Sequence, residues 1–273
     1  MKKLLTAAAA LVAFAAFAPA HAADLTPPPV FKAPPPAPWY DWTGFYIGAN
    51  GGYSWGNSST SYTGTSAITG LPITPFSTSQ NIDGWLGGGQ IGYNWQFNHN
   101  WVLGLEADIQ GTGQQGTAAL PGVAGTFGVI ALFPYTTTGT LGQSLPWFGT
   151  ARVRLGVEPA DRLLVYATGG LAYGEVDSTA TISNTTTNAN LVTTTTTASS
   201  SVNNFQVGWT IGGGLEWAFA NRWSAKIEYL YMDLGTLTNT FTGVGAYSSL
   251  TANSHFTDNI FRVGINYNFG GPH

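Results

Sequence analysis

Trp85-Leu86-Gly87-Gly88-Gly89-Gln90-Ile91-Gly92-Tyr93-Asn94-Trp95-Gln96-Phe97 carries the decisive pattern: its odd-numbered positions are Trp, Gly, Gly, Ile, Tyr, Trp and Phe, and its even-numbered ones are Leu, Gly, Gln, Gly, Asn and Gln. Successive side chains of a strand point to opposite faces, so this segment has one apolar face with aromatic ends and one small or polar face. The polar link Asn98-His99-Asn100 follows. In the next run, 101–111, Trp101, Leu103, Leu105, Ala107 and Ile109 alternate with Val102, Gly104, Glu106, Asp108 and Gln110. Two alternating runs about a short polar link read as an antiparallel hairpin.

Six more segments repeat the arrangement: 45–55, 147–158, 162–176, 206–219, 223–234 and 256–269. The total is even, which lets an antiparallel sheet close with both chain ends on one side. Three links are short, Asn98–Asn100, Pro159–Asp161 and Ala220–Arg222, and they alternate with long ones of about 56–84, 112–146, 177–205 and 235–255. A strand of roughly 13 residues, at about 3.3 Å each and tilted by about 40°, rises about 33 Å and clears an apolar band of about 25 Å. The expected fold is all-β: an eight-stranded antiparallel up-and-down transmembrane β-barrel with short periplasmic turns and long extracellular loops. Trp85, Trp101, Trp147, Trp209, Trp217 and Trp223 suit aromatic girdles at its two rims.

Composition supports a solvent other than water. The 273-residue chain has 36 Gly, 10 Trp, 12 Tyr and 15 Phe, and only 8% of its residues are charged, against about 25% in an ordinary soluble domain. Beyond residue 22 no apolar run approaches the 18 or more residues that a spanning helix requires. The chain contains no Cys, which removes thiol chemistry, disulfides and thiolate metal sites.

The chain opens on Lys2 and Lys3, runs apolar from Leu4 to Ala18 and closes on Ala20-His21-Ala22. That is the layout of a secretory signal peptide, expected over 1–22 with cleavage between Ala22 and Ala23. Loss of the two lysines moves the formal charge from −4 to about −6 with no basic cluster, so no nucleic-acid partner is expected. Residues 23–42 hold Pro27-Pro28-Pro29, Pro34-Pro35-Pro36 and Pro38, and read as an extended periplasmic leader. The barrel domain is expected over 43–270.

In the strand interiors the charged residues share the inward register. They are Glu106, Asp108, Arg152, Arg154, Glu158, Glu216, Lys226, Glu228 and Arg262, expected to form a nearly neutral interior network, because unpaired buried ions cost several kcal/mol. Eight strands enclose little more than their own side chains, whereas aqueous porins use 16 to 18. Inward glycines such as Gly48, Gly52, Gly88, Gly92, Gly208, Gly212 and Gly214 are expected mainly to relieve crowding around the large charged residues. Glu106 and Asp108 share a face and are a weak candidate acid pair or cation site. The histidines His21, His99, His255 and His273 show no zinc spacing, and Ser224 has no strand histidine to activate it. No catalytic, cofactor-binding or metal-ligating residue is therefore expected. The Thr185–Thr187 and Thr193–Thr197 runs fall in an expected surface loop.

The chain also resembles a known family. Trp42-Thr43-Gly44-Phe45-Tyr46-Ile47-Gly48-Ala49-Asn50-Gly51-Gly52-Tyr53, Gly88–Asn94, Gly104–Asp108, Gly149–Gly156, Ala167–Gly174, Gly208–Glu216, Lys226–Gly235 and Arg262–Phe269 are similar to the rhizobial and brucella-type 25/31 kDa outer-membrane proteins. The match covers nearly every strand and almost none of the loops. It implies a non-enzymatic surface barrel in the cell outer membrane, contributing to envelope integrity and host contact. The partners that follow are outer-membrane lipids and lipopolysaccharide, the barrel-assembly machinery, and a host or surface ligand held by the loops. Relatives described as porin-like or haemin-binding suggest, as alternatives, a narrow channel or a haemin site using His255, Tyr135 or Tyr247. A lipid-modifying barrel enzyme lacks its Ser-His pair. The chain departs from the family in ending Gly270-Gly271-Pro272-His273 after the aromatic Phe269.

Overall fold

Aromatic and β-branched residues on alternate positions favour a pleated wall, and the computed structural model is built of strands throughout. It describes residues 39–67, 69–98, 100–127, 133–244 and 247–270. Residues 1–38, which hold the expected signal peptide, its cleavage site at Ala22 and Ala23 and most of the leader, lie outside the described residues, as do His99 and His273. The strands are β1 (Gly44–Ser66), β2 (Phe76–Phe97), β3 (Trp101–Phe127), β4 (Phe133–Ala160), β5 (Leu163–Thr187), β6 (Thr193–Ala220), β7 (Trp223–Val244) and β8 (Tyr247–Asn268). Each pairs antiparallel with the next, and β8 returns to β1 from Tyr46↔Asn268 outward.

The expected barrel of short strands and long loops is corrected in two respects. Most of the sequence assigned to long loops is strand: β1 runs on to Ser66, β3 to Phe127 and β5 to Thr187, and β6 begins at Thr193. The Thr-rich stretch is a hairpin in which Thr179 faces Ser201, Ser183 faces Thr197 and Thr185 faces Thr195, with hydroxyls 2.9–3.0 Å apart. Such cross-strand hydroxyl pairs stabilise a sheet without needing a loop.

Secondly, the ring is not evenly closed. The β2–β3 ladder runs from Phe97↔Trp101 only to Asp83↔Gln115, and the β6–β7 ladder from Ala220↔Trp223 only to Trp209↔Asp233. Farther from the chain ends the wall parts into two four-stranded leaves, β7-β8-β1-β2 and β3-β4-β5-β6, whose internal ladders continue. Both partings begin at a bulge. One extra residue on β3 shifts its register against β4 between Gly111 and Gln114, and one on β7 shifts its register against β8 between Asp233 and Gly235. A bulge bends its strand and increases its twist; Gly235, at φ 75°, adopts the left-handed backbone that this bend requires.

The outer wall has a belt bounded by aromatic contacts. Phe45–Tyr93 and Trp223–Tyr267 mark the rim near the chain ends, and Tyr53–Trp85 and Trp209–Tyr231 the distal rim. Between them Ile47, Ile91, Leu105, Val153, Ile211, Ile227 and Val263 are exposed. Beyond the distal rim the outward residues become Asn57, Ser59 and Ser61 on β1, and Asn253, His255 and Thr257 on β8.

The interior is stratified. Nearest the chain ends, Tyr40 and Trp42 pack on Val102, Leu164, Tyr166 and Ala218. These last residues of the expected leader belong to the barrel: Trp42 N donates to Gln96 Oε1 at 2.7 Å, and Tyr40 N to Asp161 Oδ1 at 3.2 Å. Burial pushes the Tyr40 phenol up to about 12, with the Glu216 charge adding to it. A charged layer comes next, then an apolar layer including Ile82, Leu145, Phe148, Leu230, Met232 and Ile260. Farther out, Gln80, Gln143 and Ser254 are hydrogen-bonded to one another, and a second apolar cluster of Tyr62, Leu120, Leu141, Ile182, Phe241 and Leu250 joins the two leaves.

Inward glycines are there for space. A Cβ on Gly92 would overlap the Tyr46 ring and lie 2.6 Å from Leu105 O, whereas one on outward-facing Gly87 would meet nothing nearer than 3.7 Å. Gly92→Ala is therefore expected to cost about 1–3 kcal/mol through overpacking, and Gly87→Ala less than about 0.5 kcal/mol. Thermal unfolding in detergent, followed by the shift in gel mobility, checks both; equal losses would refute the spatial argument.

Candidate functional site: the buried charged layer

The strand register sets opposite charges face to face. Glu106 on β3 lies opposite Arg152 on β4, and Glu228 on β7 opposite Arg262 on β8. Arg154 follows two residues after Arg152, so it points inward as well. All eight side chains Glu106, Asp108, Arg152, Arg154, Glu216, Lys226, Glu228 and Arg262 are buried. Four acids meet four bases, and the layer is formally neutral.

Glu106 is the hub. It pairs with Arg152, with Arg154 Nη1 at 3.3 Å and with Lys226 Nζ at 3.0 Å, and Arg262 Nη2 stands 3.7 Å away. Glu228 holds Arg262 Nη2 at 2.6 Å and Arg152 Nη1 at 3.1 Å. Asp108 Oδ2 accepts from Arg262 at 2.8 Å, Arg152 at 2.9 Å and Thr150 Oγ1 at 2.8 Å. Glu216 takes Arg154 Nη2 at 2.6 Å, and its other oxygen accepts from Ser224 Oγ at 2.6 Å and Asn266 Nδ2 at 2.7 Å. Charge-assisted bonds at these lengths offset desolvation only because each carboxylate has several donors.

Two tyrosines complete the layer, and both lie across glycines. Tyr46 faces Gly92 in the β1–β2 ladder and donates to Glu106 Oε2 at 2.7 Å; Tyr166 faces Gly214 in the β5–β6 ladder and donates to Glu228 Oε1 at 3.0 Å. The Arg154 guanidinium sits 3.9 Å from the Tyr166 ring centroid, a cation–π contact. Gln90 and Asn50 extend the polar set, with Asn50 donating to Gln90 and Gln90 to Asn266.

Eight of the nine charged residues expected inside thus come together. Glu158 stands apart at the β4–β5 turn, where it accepts from Gln96 Nε2 at 2.9 Å and Arg162 N at 3.0 Å. Strand pairing breaks between Val157 and Ala160, so the parity that holds up to Arg154 no longer applies at 158. Sequence reasoning weighed Ser224 only as a nucleophile and passed over Tyr46, Tyr166, Gln90, Asn266 and Thr150; all six share the inward parity of the charges, which was the available signal.

The arrangement is poorly suited to chemistry. Glu106 and Asp108 do not form a free acid pair, since guanidinium groups occupy both. Groups of three or more His, Asp or Glu able to hold a metal are not found among the described residues. Two of the haemin candidates are on opposite sides of the wall: Tyr247 is in the inner apolar cluster, whereas His255 is on the outer face with its Nε2 3.6 Å from Asp233. A recess of about 680 Å³ lies on the outer wall, lined by Ala49, Gly51, Leu215, Trp217 and Val263 and also by Asn50 and Lys226.

An apolar exterior, a paired backbone ring and ions confined within define an outer-membrane β-barrel. The family and sequence comparisons agree. The family model for the outer membrane protein beta-barrel domain matches residues 6–269. The 31 kDa outer-membrane immunogenic protein of Brucella melitensis biotype 1 is 35% identical over 240 residues, 87% of this chain and 89% of that protein. The 25 kDa outer-membrane immunogenic protein of the same organism is 26% identical over 271 residues, covering 98% and 99%. Among solved structures, the Pseudomonas aeruginosa outer membrane protein OprG aligns over 83% of this chain and 97% of that one, at 10% identity and a TM-score of 0.42. The chain belongs to the outer membrane protein beta-barrel family, alongside the 25 and 31 kDa outer-membrane immunogenic proteins.

Glu106→Gln keeps the shape of the hub and removes its charge, leaving excess positive charge buried. It is expected to cost about 3–5 kcal/mol. Adding Lys226→Met, which removes the nearest ammonium, should recover part of that loss. Urea titrations in detergent micelles measure both; an unchanged midpoint for Glu106→Gln would show that the layer is not held by its charges.

Proposed function

We propose that this protein is a plugged structural β-barrel that contributes to envelope integrity and offers its distal lobe for surface interactions, rather than a conduit. One observation carries the reading. Arg262, Leu145, Phe148, Ile82, Leu230, Met232 and Ile260 are each 0% exposed. No water-sized space touches these seven side chains, which supports a filled interior at their level. Tyr40 and Trp42, at 2% each, fill the mouth near the chain ends.

On this reading both ends of the mature chain lie in the periplasm with the three short turns, and the hydroxyl-covered lobe projects outside. The apolar belt meets outer-membrane lipid, and the neutral Thr/Ser/Asn collar beyond its distal rim meets the sugar layer of lipopolysaccharide. The barrel-assembly machinery is the expected partner during insertion.

Purified mature protein in planar bilayers is expected to give no steady conductance. On intact cells, an epitope inserted at Asn190 should bind antibody and one at Asn221 should not. A reproducible open channel would replace this reading with a narrow pore through the charged layer, and the opposite labelling pattern would invert the orientation.

A further inference from the structure

Where the wall parts, strand edges lack ladder partners. β6 from Thr193 to Gly208 pairs with β5 only, and β7 from Leu234 to Val244 pairs with β8 only. A row of unanswered N–H and C=O groups is a template for another strand. The two partings differ in how they are guarded. On β3 the edge carries Pro121 inside a bulge between Leu120 and Val123, and proline and bulges both blunt an edge. The β6 and β7 edges contain no Pro, Lys, Arg, Asp or Glu. A side-chain bond from Asn204 Nδ2 to Asn239 Oδ1, 2.6 Å long, spans them.

We propose that the β6–β7 seam is a self-association surface, in which a second copy of this chain supplies the missing ladders, β6 of each copy pairing with β7 of the other. Strand direction selects this arrangement. Two copies inserted in one membrane share an orientation, so β6 against the other copy's β7 is antiparallel, while β6 against β6 would be parallel. Exchange about a two-fold axis along the membrane normal answers both edges at once and closes the assembly at two copies.

The chemistry of the edges is compatible. Neither brings a charge to the junction, so no repulsion opposes it. The outward residues Thr195, Thr197 and Ser199 of β6 and Thr238 and Thr240 of β7 would extend hydroxyl pairing already present within each leaf, as in Thr185–Thr195 and Thr240–Thr251. The bond given up is the Asn204–Asn239 bridge. This inference does not depend on whether the barrel conducts.

The absence of native cysteine makes the test direct. Full-length chains carrying Asn204→Cys and Asn239→Cys, with different tags, are reconstituted together in phosphatidylcholine vesicles and oxidised. A disulfide joining the two kinds of chain is expected, at a yield at least tenfold above that of either variant alone. With both substitutions in one chain, oxidation should lock the seam and leave a monomer by native mass spectrometry. Thr197→Lys with Thr238→Lys should weaken association at least tenfold while leaving the heat-modifiable fold intact. Folded wild-type chains that stay monomeric in the vesicles, or a dimer that survives the locked seam, would overturn the proposal.

Discussion

Hydrocarbon accepts neither an unpaired backbone edge nor an unpaired ion, and this constraint orders the molecule. The ring is hydrogen-bonded all the way round only over the belt that carries Ile47, Ile91, Val153 and Ile211 on its outside. Both partings begin within two residues of the distal aromatics, the last pairs being Asp83↔Gln115 near Trp85 and Trp209↔Asp233 near Tyr231. Beyond that line water can satisfy an edge, and the sheet divides. Uneven closure thus follows the change of solvent along the strands.

The same constraint fixes the interior. With outward positions reserved for apolar side chains, every ion of the spanning strands must lie within, and within the wall it must find a partner. Register supplies those partners as Glu106 opposite Arg152 and Glu228 opposite Arg262. Glycine supplies the room, because Gly92 and Gly214 let Tyr46 and Tyr166 lie across the wall and reach the central carboxylates. Buried ion pairs of this kind seldom add much net stability over an apolar core, but breaking one is costly. That asymmetry favours one register, since a slip of one residue would send all of these charges into lipid.

What could be read from the sequence follows from the same physics. Over the belt, two-residue alternation is strong because lipid lies on one side and ions or small residues on the other, so the spanning segments and eight charged residues were legible. In the distal lobe the contrast reverses, with hydroxyls outside and apolar residues inside, and bulges break the parity. On β4 the inward set is Leu141, Gln143 and Leu145 before Pro146, and Phe148, Thr150 and Arg152 after it. On β7 it changes from Met232 and Leu234 to Leu237, Asn239 and Phe241. A pattern that shifts phase and polarity together reads as loop. The β-propensity of the threonine runs was the signal that pointed the other way.

The account rests on odd-numbered belt positions facing lipid and even-numbered ones facing a dry, ion-paired interior. Electron paramagnetic resonance of single spin labels, introduced through cysteine at each position from 85 to 95 of β2 in lipid bilayers, tests this directly. Collision with oxygen should alternate with a period of two and peak at odd positions, and labels at 86, 90 and 94 should be shielded from a water-soluble nickel relaxant. Strong nickel relaxation at those even positions would reveal a wetted lumen and contradict the account.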